Sequence, residues 1–75
     1  MNWHENIISE PGVLFGKAVI KGTRVPVDLI FEKIATGYSY DDLLAAYPRI
    51  TKADILACML FAADNTKHEK VLSVA

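Results

Sequence analysis

The chain has 75 residues, a formal net charge of −1 and 52% hydrophobic residues, with a mean hydropathy of +0.23. A single core of this size supplies only roughly 3–5 kcal/mol, so one domain completed by a disulfide, a metal or a second subunit is expected. Cys58 is the only cysteine, which excludes an internal disulfide. His4 and His68 stand far apart with no second cysteine, which argues against zinc, and the near-zero charge excludes a general attraction for nucleic acid.

The first segment, residues 1–25, reads as a short N-terminal β ribbon. Ile7-Ile8, Val13-Leu14-Phe15 and Ala18-Val19-Ile20 are β-prone runs separated by Pro11-Gly12, Gly16 and Gly22-Thr23. Ile7-Ile8 is expected to pair with Val19-Ile20. Two strands alone are marginal in water, so the ribbon must lie on helices or on another chain.

At Val27 the period changes. Val27, Ile30, Phe31 and Ile34 recur at helical spacing, Pro26 suits a first turn and Gly37 a stop, which predicts a helix from Pro26 to Thr36. Ser39 stands three residues before Asp42, a capping-box spacing, and Pro48 ends the stripe of Tyr40, Leu43, Leu44 and Tyr47. A short helix over 40–47 follows.

Thr51 and Asp54 repeat the start signal, and no glycine or proline interrupts the run to Asn65, which predicts a third helix over 52–65. Its middle, Ile55 to Ala63, is apolar on every face yet too short to cross a bilayer. A helix of that kind must be covered all round, and the two preceding helices cover only part of it. A homodimer through this helix is therefore expected, with Leu56, Met59, Leu60, Phe61 and Ala63 at the interface. Residues 67–75 form a β-prone, apolar tail that either adds a strand to a partner, folds back or frays.

The three helices over 26–66, with the turn Pro48-Arg49-Ile50-Thr51 between the last two, make a helix-turn-helix candidate. In a DNA-binding version Thr51 and Lys52 reach base edges, Arg49 touches phosphate, and Lys17, Lys21 and Arg24 of the ribbon add a phosphate-facing edge. The plainer alternative for the ribbon cations is a solvated edge, with Arg24 paired to Asp28 or another helix acid. Asp41 and Asp42 are expected to serve the helix start rather than chemistry. Tyr38, Tyr40 and Tyr47 read as core or interface aromatics, and Cys58 as an inert buried thiol. No nucleophile with a nearby base, phosphate-cradling loop or metal-holding carboxylate set is present, so no catalytic residue, cofactor or small-molecule substrate is expected. With no leader-like or membrane-spanning segment, a cytoplasmic location is expected.

The run from Pro11 to Val27, and above all Val19-Ile20-Lys21-Gly22-Thr23-Arg24-Val25-Pro26-Val27, resembles the hallmark of the prokaryotic family called domain of unknown function 433. Gly37, Ser39-Tyr40-Asp41-Asp42, Tyr47-Pro48 and Ala62-Ala63 continue the likeness to residue 63. Ala18 and Phe15 depart from it, where proline and glycine are usual. The resemblance implies a mainly α, homeodomain-like three-helix bundle with a helix-turn-helix, preceded by a short β element. It also implies kinship with VapB-type antitoxins, which neutralise a PIN-like ribonuclease toxin and repress their own operon. The expected function is thus an antitoxin-like component whose helix-turn-helix contacts operator DNA and whose C-terminal segment, Thr66 to Ala75, or ribbon edge engages a toxin protein, with Asp41, Asp42 or Asp64 facing the toxin's cationic surface. The alternative is a protein-only dimerisation or adaptor module that never touches DNA.

Overall fold

A computed structural model describes residues 2–12 and 16–67. A short 3-10 turn, Trp3–Glu5, leads into strand β1, Ile7–Ser9, and β2, Ala18–Ile20; then come helices α1, Val27–Ala35, α2, Tyr40–Ala46, and α3, Lys52–Lys67. The fold is mostly helical, with a two-stranded antiparallel sheet at its N-terminal end.

Ile7 pairs with Ile20 and Ile8 with Val19, as the β-branched runs predict, and Ser9 pairs with Ala18. Because side chains alternate across a strand, Ile7 and Ile20 share one face and Ile8 and Val19 the other. Ile7 and Ile20 are buried against the helices with Val27, Ile30, Leu43, Ile50, Ile55, Ala57 and Cys58. The marginal ribbon is thereby anchored on an apolar core.

The segment from Ile20 to Pro26 is held by its own chemistry. Gly22 has φ +81, a conformation that costs a side-chain-bearing residue roughly 1–2 kcal/mol. Thr23 donates from both its backbone N–H and its Oγ1 to the Ile20 carbonyl, at 3.0 and 2.8 Å, and Oγ1 accepts from the Val25 N–H at 3.0 Å. Ile20 N–H then donates to the Val25 carbonyl at 3.0 Å, and Pro26 bridges Val19, so β2 is flanked on both edges.

Helix boundaries follow the predicted signals, with Pro26 and Thr36 as caps of α1 rather than members of it. Gly37, at φ +102, closes α1. Gly37 N–H donates to the Ile34 carbonyl and Tyr38 N–H to the Lys33 carbonyl, each at 3.0 Å, the paired bonds of a Schellman motif. Ser39 and Asp42 form the reciprocal capping box at the start of α2. The same exchange occurs at α3, where Thr51 N–H donates to Asp54 Oδ2 at 2.9 Å and Asp54 N–H to Thr51 Oγ1 at 3.2 Å. Helix α3 runs two residues past the predicted end, to Lys67. The rest of the predicted C-terminal tail, 68–75, lies outside the described residues.

One element has no counterpart in the sequence reading. The 3-10 turn lies along α3, where Trp3 packs edge-on against Phe61 at a centroid distance of 4.9 Å and its indole N–H donates to Asp64. Asn6 Nδ2 donates to the remaining Asp54 oxygen, Oδ1, at 3.0 Å. The N-terminal segment therefore covers part of the apolar circumference of α3. Among the described residues, no helix is long and apolar enough to cross a membrane.

Candidate interaction surfaces

The two faces of α3 differ. Ile55, Ala57 and Cys58 are buried in the core, whereas Ala53, Leu56, Leu60 and Ala63 are exposed, Leu56 by 45% and Leu60 by 37%. These four stand three, four and three residues apart, the a/d spacing of a coiled-coil seam. Of the expected interface residues, Leu56, Leu60 and Ala63 lie on this stripe. Met59 is half-buried at its flank, and Phe61 is half-buried beside Trp3. Ala53 is a member that the sequence reading missed; its 3-4-3 spacing with the others is the signal that finds it.

The candidate DNA-contacting residues differ in how far they are already engaged. Lys17 is held in an ion pair with Asp28 at 3.0 Å, so that acid is engaged by Lys17 and not by Arg24 as the sequence suggested. Arg24 instead lines a groove to which neither Lys17 nor Asp28 contributes. Thr51 has its hydroxyl and N–H committed to the start of α3. Lys21, Arg24, Arg49 and Lys52 are exposed, and Lys17–Asp28 is the one ion pair among the described residues.

Arg24 and Arg49, 25 positions apart in sequence, belong to one surface feature. Both line a groove of about 760 Å³ between the ribbon and the connection from α2 to α3. Ile8 and Val19, cross-strand partners on the ribbon face away from Ile7 and Ile20, line it together with Val25, Leu29, Ala46 and Pro48. Among the described residues, no acidic one lines it.

The titratable groups with displaced proton affinities serve structure. Asp42 is held below the usual carboxylate range by the Ser39 backbone N–H, at 2.9 Å, and then by the Ser39 side chain. Burial, reinforced by the Asp54 charge, pushes the Cys58 thiol up to about 11, so thiolate is scarce at neutral pH and the group is a poor nucleophile. Tyr38 and Tyr40 are exposed and only Tyr47 is half-buried; Lys33 lies over the Tyr38 ring at 5.2 Å. No set of three or more His, Cys, Asp or Glu placed to hold a metal occurs among the described residues.

The family described as "Protein of unknown function (DUF433)" matches residues 7–62, from β1 through most of α3. The chain belongs to this family. An uncharacterised protein of Sinorhizobium fredii is 34% identical over 61 residues, which cover 81% of this chain and 28% of that protein. The chain thus spans little more than a quarter of that relative. A crystal structure of a DUF433 member from Anabaena variabilis has a TM-score of 0.78 at 34% identity, covering 83% of this chain and 61% of that one. Within the DUF433 hallmark, the Gly-Thr of Gly22-Thr23 corresponds to the positive-φ residue and the hydroxyl that close the turn, and Arg24 is the side chain the turn presents to the groove. Phe15, one of the two departures from the hallmark, lies outside the described residues; Ala18, the other, pairs with Ser9 in the ribbon.

Proposed function

We propose that this DUF433 protein is an antitoxin-like binding component with a homeodomain-like three-helix arrangement, in which α3 makes protein contacts as a homodimer and the assembled dimer engages a PIN-like ribonuclease toxin. The observation that carries this reading is the outward face of α3, which is apolar from Ala53 to Ala63 with cations only beyond its ends, at Lys52 and Lys67. A helix that reads bases presents polar donors and acceptors along that face, with cations for phosphate. This face suits burial against protein instead.

The pattern is also self-complementary. In an antiparallel pair of α3 helices with a two-fold axis beside residue 58, Leu56 meets Leu60 of the partner subunit and Ala53 meets Ala63 of the partner subunit. Small residues at both ends allow close approach, and a two-fold axis closes the assembly without leaving an unpaired copy of the patch. Toxin contact falls to exposed acids. Asp42 and Asp64 each have an internal hydrogen bond, to Ser39 and Trp3, which leaves Asp41 as the uncommitted member of the three.

Operator binding is a second reading, supported by the exposure of Lys21, Arg24, Arg49 and Lys52 without acidic partners among the described residues. Sedimentation of the wild type and of Leu60→Glu, with co-purification of the product of the adjacent reading frame and gel shifts on upstream DNA at two salt concentrations, separates the readings. A dimer that Leu60→Glu dissociates, and that carries the nuclease with it, is the expected result. A monomer at all concentrations sinks it. Affinity for DNA that falls steeply with salt brings in the operator.

A further inference from the structure

The groove between the ribbon and the α2–α3 connection is a second surface, lined by none of the residues of the outward stripe of α3, and its chemistry differs. Its lining is mostly apolar, from Ile8 and Val19 on the ribbon to Leu29 of α1, Ala46 of α2 and Pro48 beyond it, yet among the described residues it carries two guanidinium groups and no carboxylate. Arginine presents a planar fork of donors matched to carboxylate and is less strongly hydrated than an ammonium, so it suits a partly apolar site. A phosphodiester backbone offers charge without apolar groups to fill the space between. A peptide segment in which an apolar side chain neighbours a carboxylate supplies both.

We infer that this groove docks a short acidic, apolar segment of a partner protein, its carboxylates held by Arg24 and Arg49 and an apolar side chain seated over the half-buried Ile8, Val25 and Leu29. The inference rests on the protein-binding reading above only in naming a protein as the source of the segment. It gives the turn of Gly22 and Thr23 a purpose: the tight closure holds Arg24 at the groove that Arg49 also lines. It also gives the chain two separate contact surfaces, one for its own copy and one for a different partner.

Titration of the isotopically labelled full chain, followed by amide chemical shifts, tests this with acetyl-Asp-Leu-Glu-Leu-Asp-amide as the probe. Counterparts with Asn and Gln for the acids, or with Ala for leucine, and a short DNA duplex complete the set. The expected result is perturbation confined to groove amides such as Val19, Val25, Leu29 and Tyr47. Binding is weakened on the order of tenfold by either peptide change and by Arg24→Gln, and is lost with Arg49→Gln added. Both arginines are exposed, so the variants keep a folded spectrum.

Groove amides undisturbed at millimolar acidic peptide overturn the inference, as does equal binding of the uncharged peptide. Stronger perturbation of the same amides by the duplex assigns the groove to nucleic acid instead. Sedimentation of the same samples reports dimerisation through α3 separately, so a failed titration leaves that reading standing.

Discussion

The turn between Ile20 and Pro26 and the helix α3 solve the problem of being ordered in opposite ways. In the turn, one glycine at positive φ and one threonine hydroxyl satisfy the local backbone, and the neighbours needed lie within six residues. In α3 the helix start is local, in the exchange between Thr51 and Asp54, but what holds the helix in place is distant: the core on one face and Trp3 and Asn6 along its flank. A segment of the first kind announces itself in sequence. A segment of the second kind announces only that it is greasy.

Substitutions that separate local from distant support test this contrast, beginning with the largest effect. Ile55→Ala removes a fully buried side chain from the inner face of α3 and is expected to cost about 2–5 kcal/mol in urea unfolding, comparable with the whole stability of a core this size. The same change is expected to speed labelling of Cys58, whose buried thiol at pH 8 reacts only when the fold opens. A loss below about 1 kcal/mol would mean that α3 is not held by its inner face.

On the outer face, Leu60→Glu is expected to leave monomer unfolding within about 0.5 kcal/mol of wild type, while weakening self-association on the order of a hundredfold, read by sedimentation over a dilution series. Equal damage to folding and association would erase the distinction between the two faces. In the turn, Gly22→Ala meets no atom within 4 Å, so its cost is conformational alone, about 1–2 kcal/mol.

Ser39→Ala removes half of the capping box at α2 and is expected to cost about 1 kcal/mol. Asp42 has its proton affinity lowered by Ser39, so its contribution to stability is present above the ordinary carboxylate range and is lost as the pH falls through the depressed value. The Ser39 backbone N–H, the larger cause, survives the substitution, so this acid limb of the unfolding curve is expected to shrink in Ser39→Ala and not vanish.

Legibility in the sequence follows the same division. The stop at Gly37 and the starts at Ser39 and Thr51 were readable because each depends on residue types within a few positions, and the pairing of Ile7-Ile8 with Val19-Ile20 because two β-branched runs are separated by turn residues. The 3-10 turn at Trp3 was not readable, since its partners, Phe61 and Asp64, lie at the other end of the described chain. Lys17 was placed among free ribbon cations because nothing nearby in sequence marks it as the partner of Asp28. The outward stripe was legible in part: Leu56, Leu60 and Ala63 were expected on it, but Ala53 was missed and Met59 and Phe61 were added, because an unbroken apolar run conceals which members face outward. That Arg24 and Arg49 line one groove required the fold itself.

The N-terminal segment's grip on α3 has a consequence for synthesis. Trp3 and Asp64 are separated by 61 positions and Asn6 and Asp54 by 48, so these residues wait for partners made much later. As the ribosome extends the chain, Ile7, Val19 and Ile20 emerge with no helix yet available to shelter them. The growing polypeptide is therefore at its most vulnerable to premature association during translation, and closes only when α3 has left the exit tunnel.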